Sequence, residues 1–167
     1  MTNQETQDKA ATQIITQVIN AWASQNKSVS AFFDKYDDTV YMQEVAPGRN
    51  RAIYLFGHII AANDGLLEIL GLGGRLYPEL YETFSHSPDK AVATIPTIAE
   101  LKQKWTLIND SLTEKFSKMN VSDWLGRHMS VSEEDFAKEP LRNKLNVLIG
   151  RTNHESYHLG QLNLLVH

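Results

Sequence analysis

The stretch 153–162, NHESYHLGQL, holds the residues whose types and spacing best suit metal chemistry. His154 and His158 lie four residues apart, and Glu155 directly follows the first of them. This H-E-x-x-H pattern is typical of zinc metalloproteases, in which two histidines on one face of a helix bind the same ion. Neutral imidazole also binds nickel, iron and copper, so the pair predicts a metal site without identifying the metal.

A third ligand is expected, because a catalytic zinc usually has three protein ligands and keeps one position open. The extended protease motif would place glycine and histidine where Gln161 and Leu164 stand, and no acidic residue follows Glu155. The protease interpretation is therefore poor, and the third ligand must come from earlier in the chain. His58 is the best candidate, since it lies mid-way along an apolar helical segment. A lone histidine there would usually be a packed core residue, but helix bundles build metal sites from inward side chains of facing helices.

Four further residues lie within reach of these histidines on the predicted helices. Gln161 shares their stripe and would either donate to a metal-bound water or substrate, or bond a neighbouring helix backbone. Glu155 is expected to orient a ligand histidine or to form a structural salt bridge, rather than to act as a base. Arg151 and Tyr54 each precede a candidate ligand by about one turn. Either would line a pocket over the open metal position, or make an ordinary ion pair or phenol hydrogen bond. No catalytic residue is assigned.

Amphipathic helices must position these side chains, and four segments have the required period. They span residues 6–23, 51–70, 98–119 and 141–166. Asn50 is the predicted N-cap of the second segment. Thr97 and Glu100 form a predicted capping box for the third, and Pro140 suits the first turn of the fourth.

Three connections between these helices are long, at about 25–49, 71–94 and 120–139. We expect short helical turns inside them, at SVSAFFDKYDD, PELYETF and SEEDFAKEP, because long structureless loops are uncommon in compact domains. Strand signals are weak. The sequence therefore predicts a single all-α domain over 1–167, a four-helix bundle whose long loops carry short helical turns.

Composition narrows the classes of function. The 167 residues include no cysteine, which excludes disulfides, thiolate ligands and a cysteine nucleophile. The formal net charge is −4 and no basic block occurs, so a nucleic-acid partner is not expected. The polar start lacks the apolar core of a signal peptide, and no apolar run suggests a membrane span. A cytoplasmic protein is the expectation.

Two stretches resemble the DinB-like superfamily of metal-binding four-helix bundles: GHIIAANDGLLEILG in the second predicted helix and NHESYHLGQL in the last. That family has one histidine in its second helix and a terminal H-x-x-x-H-x-G-Q motif. This chain matches at His58, His154, His158, Gly160 and Gln161, and the resemblance extends over essentially the whole sequence. The resemblance implies a bundle with a three-histidine divalent metal site and an open coordination position.

Characterised relatives in that family include metal-dependent transferases and isomerases that use low-molecular-weight thiols. The resemblance therefore implies an enzyme with zinc or nickel as its metal, which acts on a small-molecule substrate with such a thiol, by S-transfer or isomerisation. A metal-dependent hydrolase is the chemical alternative, and a non-catalytic metal-binding bundle is a second one. A homodimer formed through an exposed helix face is a further hypothesis.

Overall fold

The computed structural model describes residues 3–165, and its regular structure is helical. In chain order the elements are α1 (Asn3–Lys35), α2 (Asp38–Tyr41), α3 (Ala52–Ile69), α4 (Glu79–Tyr81), a π-helical turn (Glu82–His86), α5 (Ile98–Phe116), α6 (Val121–Leu125), α7 (Glu133–Lys138), α8 (Lys144–Leu162) and a 3-10 turn (Asn163–Leu165). No β-strand occurs among the described residues, which confirms the all-α class. The predicted end of the last helix at 166, and His167 beyond it, lie outside the described residues.

The first helix is much longer than the apolar period of its sequence indicates. The prediction of 6–23 is wrong at its end, because α1 continues to Lys35 and absorbs most of the expected turn SVSAFFDKYDD. Four buried residues continue the inward stripe at helical spacing: Trp22, Asn26, Val29 and Phe33. One of them, Asn26, is polar, so the apolar pattern breaks there although the helix does not.

The N-terminus of α3 is held by a carboxylate from a distant loop. The backbone N–H of Arg51 donates to Asp89 Oδ2 at 2.7 Å, and its guanidinium donates to Asp89 Oδ1 at 2.6 Å. Burial raises the pKa of Asp89, but the hydrogen bonds from Arg51 outweigh it and lower the pKa below its usual value. The predicted cap, Asn50, is wrong by one residue: Arg51 is the N-cap, and it has no side-chain cap bond of its own.

Side-chain caps set the starts of the other two helices that follow α3 in the core. The predicted capping box of α5 is confirmed, since Thr97 Oγ1 accepts from Glu100 N at 3.2 Å and Glu100 Oε2 accepts from Thr97 N at 2.7 Å. The prediction that Pro140 begins the last helix is wrong. Asn143 caps α8 by accepting from Asn146 N at 2.9 Å, and the Pro140 carbonyl accepts from Asn143 Nδ2 in the preceding turn.

The four long helices share one hydrophobic cluster. Within it α3 packs against both α5 and α8, and α1 packs against α8. Aromatic pairs join the helices further: the Phe33 and Phe56 rings stack at 3.9 Å, and Trp22 meets Phe116 edge-on at 5.1 Å. Such ring pairs add about 0.5–1.5 kcal/mol beyond their buried area. This helical bundle is therefore a common rigid support for α3 and α8, the two helices that carry the candidate ligands.

The π-helical turn rests directly on α3 beside His58. Its central residue, Phe84, is fully buried, and the ring lies over Gly57. A Cβ atom at Gly57 would come within 2.4 Å of the Phe84 ring, so only glycine permits this approach. The close contact brings the backbone of the turn within hydrogen-bonding distance of the next residue of α3, which is His58.

The central helix α3 is also long and apolar enough to cross a membrane on composition alone. Its mean hydropathy is 1.2, yet 72% of its residues are buried inside the protein. Two of those buried residues are polar, Asn63 and Asp64. The Asp64 carboxylate accepts from the backbone N–H groups of Leu76 and Tyr77 at 2.8 and 2.9 Å. These are the features of a core helix, whose neighbours satisfy its polar groups.

Candidate metal centre

The structure brings the three predicted ligands together, although His58 is 96 residues from His154 in the chain. The Nε2 atom of His154 lies 3.0 Å from His58 Nε2 and 3.0 Å from His158 Nε2. The ligand atoms of all three side chains lie within 4.8 Å of one another, and this is the group among the described residues that can hold a metal ion. Tetrahedral zinc with Zn–N bonds of about 2.0–2.1 Å separates its ligand nitrogens by about 3.3 Å, so a small outward shift accommodates an ion.

Hydrogen bonds on the far side of two rings determine which nitrogen faces the centre. His58 Nδ1 donates to the carbonyl oxygen of Phe84 at 2.8 Å, and His158 Nδ1 donates to Gln161 Oε1 at 2.7 Å. Since both partners are acceptors, each Nδ1 carries the proton and each Nε2 presents a lone pair to the centre. Such outer hydrogen bonds are typical of histidine ligands, which they orient.

No arrangement of protons on neutral imidazoles gives every Nε2 atom of this cluster a hydrogen-bond partner. If His154 carries a proton on Nε2, that proton can bridge to one of its two Nε2 neighbours, and the other lone pair stays unpaired. If it carries the proton on Nδ1, three lone pairs converge without any donor, while the buried Nδ1 itself has no hydrogen-bond partner. A cation that binds all three Nε2 atoms removes both problems. The donor set and its geometry therefore fit a divalent metal ion.

Burial keeps these rings in the form that binds metals. Desolvation lowers the pKa of His58 and of His158 below the usual value of 6.5. Desolvation, with the nearby charges of His158, Arg151 and His58, lowers the pKa of His154 to about 3. All three imidazoles are thus neutral at neutral pH, as ligation requires.

Gln161 and Gly160, next to the histidines on α8, have plainer surroundings than the sequence suggested. Gln161 bonds two side chains of its own helix and no helix backbone: its oxygen accepts from His158, and its Nε2 donates to Tyr157 Oη at 3.3 Å. A Cβ at Gly160 would have no atom within 4 Å. No neighbouring atom therefore requires glycine at position 160 among the described residues.

Glu155 turns away from the histidines into the core. It is fully buried, and with its amide nitrogen toward the carboxylate Asn26 donates to Glu155 Oε2 at 2.9 Å. Burial raises the pKa of Glu155 to about 8, against lowering effects from Asn63, Arg151 and Trp22. Glu155 makes no hydrogen bond to a ligand histidine in the described part of the chain. It joins α8 to α1 and α3 instead of orienting a ligand, and it does not line the cavity described next.

A cavity of about 420 Å³ opens beside the cluster. Two of the histidines, His58 and His154, line it, so the centre is accessible from this side. The other lining residues come from α3, the π-helical turn, α8 and two loops, and they include Glu68, Arg75, Tyr81, Ser85, Met129, Ser130 and Arg151. The lining is mixed, with hydroxyl groups and two guanidinium groups among apolar side chains.

Arg151 and Tyr54, the two residues predicted as pocket candidates, have different surroundings. Arg151 lines the cavity and takes part in none of the ion pairs found among the described residues. Tyr54 does not line it: its hydroxyl donates to the carbonyl of Ser87 at 2.7 Å. For Tyr54 the structure thus shows the phenol hydrogen bond, the alternative to a place in the pocket. The sequence offered no reason to expect Arg75 or Ser85 at the site, since both come from segments predicted as loops.

The chain matches no model of a known protein family, and no curated protein matches it. The likeness to DinB-like proteins thus stays a prediction made from the sequence. The chemistry of the site rests on its own atoms: three converging imidazole nitrogens beside a cavity that contains two arginines.

Proposed function

We propose that the protein is a DinB-like four-helix bundle that binds one divalent ion, zinc or nickel, through His58, His154 and His158. We further propose that it is a metal-dependent enzyme in the cytoplasm that acts on a small molecule with a low-molecular-weight thiol, either by S-transfer, in which the thiol is joined to the molecule through its sulfur, or by isomerisation. The observation that carries the proposal is the convergence of three Nε2 atoms, two of them with lone pairs set by hydrogen bonds at Nδ1.

The cavity supports an enzyme over a structural metal staple. A staple needs no access, and apolar side chains would seal it. Here His58 and His154 line a cavity of about 420 Å³ together with serine and arginine side chains. A small molecule can therefore approach the side of the centre at which a fourth ligand would bind.

The carboxylates near the cavity favour a thiol reaction over hydrolysis. When bound, a divalent ion would lower the pKa of a coordinated thiol or water. The chain has no cysteine, so a thiol has to come from outside. Hydrolysis would gain from a free carboxylate base at the cavity, but Glu155 is buried in the core and Glu68 is paired with Arg75 at 2.8 Å. The hydroxyl of Ser130 and the guanidinium of Arg151 are left to orient the substrate, whereas the Ser85 hydroxyl lies 3.3 Å from His58 Nδ1.

Metal analysis of purified protein tests the site. We expect about one zinc or nickel ion per chain in the wild type and none in His58→Ala or His158→Ala, because two histidines make a weak site. His86→Ala is the matched control, since His86 is exposed on the π-helical turn and outside the cluster. Full metal retention by His58→Ala would remove α3 from the site. Turnover of thiol and electrophile pairs by the loaded wild type, absent in His58→Ala, then tests the enzyme.

A further inference from the structure

Arg151 is a charged side chain at the edge of the metal centre, and it takes part in no ion pair among the described residues. It lies three residues before His154 on α8, so the two side chains share a face of the helix. Its Nε atom is buried and has no hydrogen-bond partner. A guanidinium donor that is buried without a partner is costly, so this arrangement favours an anion that the cavity lining does not provide.

The second arginine of the cavity differs, because its charge and donors are already used. Arg75 Nε donates to Glu68 Oε2 at 2.8 Å, and an Nη atom donates to the Ala61 carbonyl at 3.2 Å. Its guanidinium also lies 4.8 Å from the centre of the Tyr81 ring. Gly65 leaves room for it, since a Cβ there would stand 3.1 Å from Arg75. Arg75 therefore forms a wall of the cavity, and Arg151 is its free positive charge.

The charges that line the cavity add up to one unmatched cation. The lining contains Arg75, Arg151 and a single acid, Glu68, which Arg75 neutralises. Glu155 lies one turn beyond Arg151 and attracts it electrostatically, but this carboxyl faces α1 and α3 and does not line the cavity. Since a divalent ion bound by neutral histidines would add further positive charge, the cavity is built for a negatively charged occupant.

We propose that this cavity binds the carboxylate of a small-molecule ligand through Arg151, beside the three histidines. This inference deepens the proposed function and rests on it, because it specifies the substrate class: a carboxylate-bearing thiol or co-substrate. One planar guanidinium with one unmatched charge suits a carboxylate monoanion, which it binds with two parallel hydrogen bonds. Arg151 is the positioning residue that holds this group while the reacting atom lies at the histidines.

Calorimetric titration of zinc-loaded wild type with succinate and with its uncharged analogue succinamide tests the charge requirement without any mutation. We expect succinate to bind roughly tenfold to hundredfold more tightly, as charge-assisted hydrogen bonds would give. Equal affinity for the two compounds would overturn the proposal. Tighter binding of inorganic phosphate than of succinate would overturn the choice of a carboxylate.

Variants then assign the effect to one residue. Arg151→Gln should lose most of the preference for succinate over succinamide while keeping its zinc, and what preference remains is that of the metal ion. Arg151→Lys should lose affinity several-fold because lysine cannot make the paired contact. Arg49→Gln removes the same charge from an exposed position outside the cavity and should leave the affinity unchanged. Wild-type affinity in both Arg151 variants would contradict the assignment. If Arg151→Gln does not fold, Arg151→Lys and the two-compound comparison still decide.

Two further measurements distinguish failure of this inference from failure of the proposed function. Mercaptosuccinate should bind more tightly than succinate or 2-mercaptoethanol if the thiol itself carries the carboxylate. If succinate binds more tightly than mercaptosuccinate, the carboxylate belongs to the co-substrate. If the wild type holds no metal, the proposed function fails, whereas the titration of metal-free protein still shows whether succinate binding depends on Arg151.

Discussion

At the scale of single residues, three chemically identical ligands are held in three different ways. A backbone carbonyl orients His58, a side-chain amide orients His158, and the Nδ1 of His154 is buried without a partner. Residue type and spacing were enough to predict the three histidines. The partner of His58 was beyond prediction, because Phe84 lies 26 residues away on a turn whose position depends on tertiary packing.

Replacing Gln161 should weaken metal binding without removing a ligand. Gln161→Leu deletes the acceptor for His158 Nδ1, so the ring loses both its orientation and its preferred tautomer; we expect an affinity loss of about 10–100-fold. Competition with a chromogenic chelator measures this loss. Gln161→Glu keeps an acceptor at the same place and should retain the affinity, and equal affinities in all three proteins would contradict the role given to Gln161.

Acid should release the metal, but at a lower pH than free imidazole would. Burial lowers the pKa of all three histidines in the folded chain, that of His154 to about 3, so protons compete with the metal less than they would at an exposed site. The sign follows: binding is full at pH 7.5, still strong at pH 6, and lost toward pH 4. Equilibrium dialysis with metal analysis across this range checks it. Loss of the metal already between pH 7 and pH 6, as exposed imidazoles would give, would contradict this prediction.

At the scale of elements, the sequence predicted helices better than it predicted their ends. The capping box of α5 is visible in the sequence because Thr97 and Glu100 are local partners. The length of α1 could not be predicted, because the polar Asn26 interrupts its inward apolar stripe. Asn26 lies there as the hydrogen-bond partner of Glu155, which belongs to α8, far away in the chain. A polar residue chosen by a distant polar partner breaks the local apolar pattern that identifies helices.

The contact between Phe84 and Gly57 gives the sharpest prediction at this scale. Gly57→Ala would place a methyl group 2.4 Å from the Phe84 ring, so the turn must move away. We expect a loss of about 1–3 kcal/mol in unfolding free energy, as overpacking costs, together with weaker metal binding because the carbonyl partner of His58 moves. Urea unfolding and chelator competition measure the two effects.

Gly150→Ala is the matched control for that experiment. Gly150 lies inside α8, and a Cβ atom added there would have no atom within 4 Å. Alanine should therefore stabilise the helix by about 1 kcal/mol and leave the metal affinity unchanged. A Gly57→Ala protein as stable as the wild type would show that the turn adapts at no cost.

At the scale of the whole molecule, metal binding should stabilise the fold. The ligands come from α3 and α8, which the ion would join across 96 residues of chain. An ion at 100 times its dissociation constant adds about 2.7 kcal/mol, since the unfolded chain no longer holds the three histidines together. We expect zinc to raise the Tm of the wild type and to leave that of His58→Ala unchanged. An equal rise in both would place the stabilising site elsewhere.

The all-α class and the common core followed from four amphipathic segments, which the structure contains as α1, α3, α5 and α8. The cavity could not be predicted from these four segments. Its walls include Arg75, Ser85 and Met129, which lie in the connections between those segments. Their place depends on how the connections fold back over α3, and no local pattern in the sequence records it.

The carbonyl of Phe84 has one property that its counterpart at Gln161 lacks: every amino acid carries a peptide oxygen. A point mutation can erase the Gln161 acceptor, but no point mutation can erase the acceptor at position 84. During evolutionary drift or deliberate redesign, the α8 side of the centre is therefore open to tuning one side chain at a time. The α3 side changes only when the backbone of the π-helical turn moves, as Gly57→Ala would force it to do.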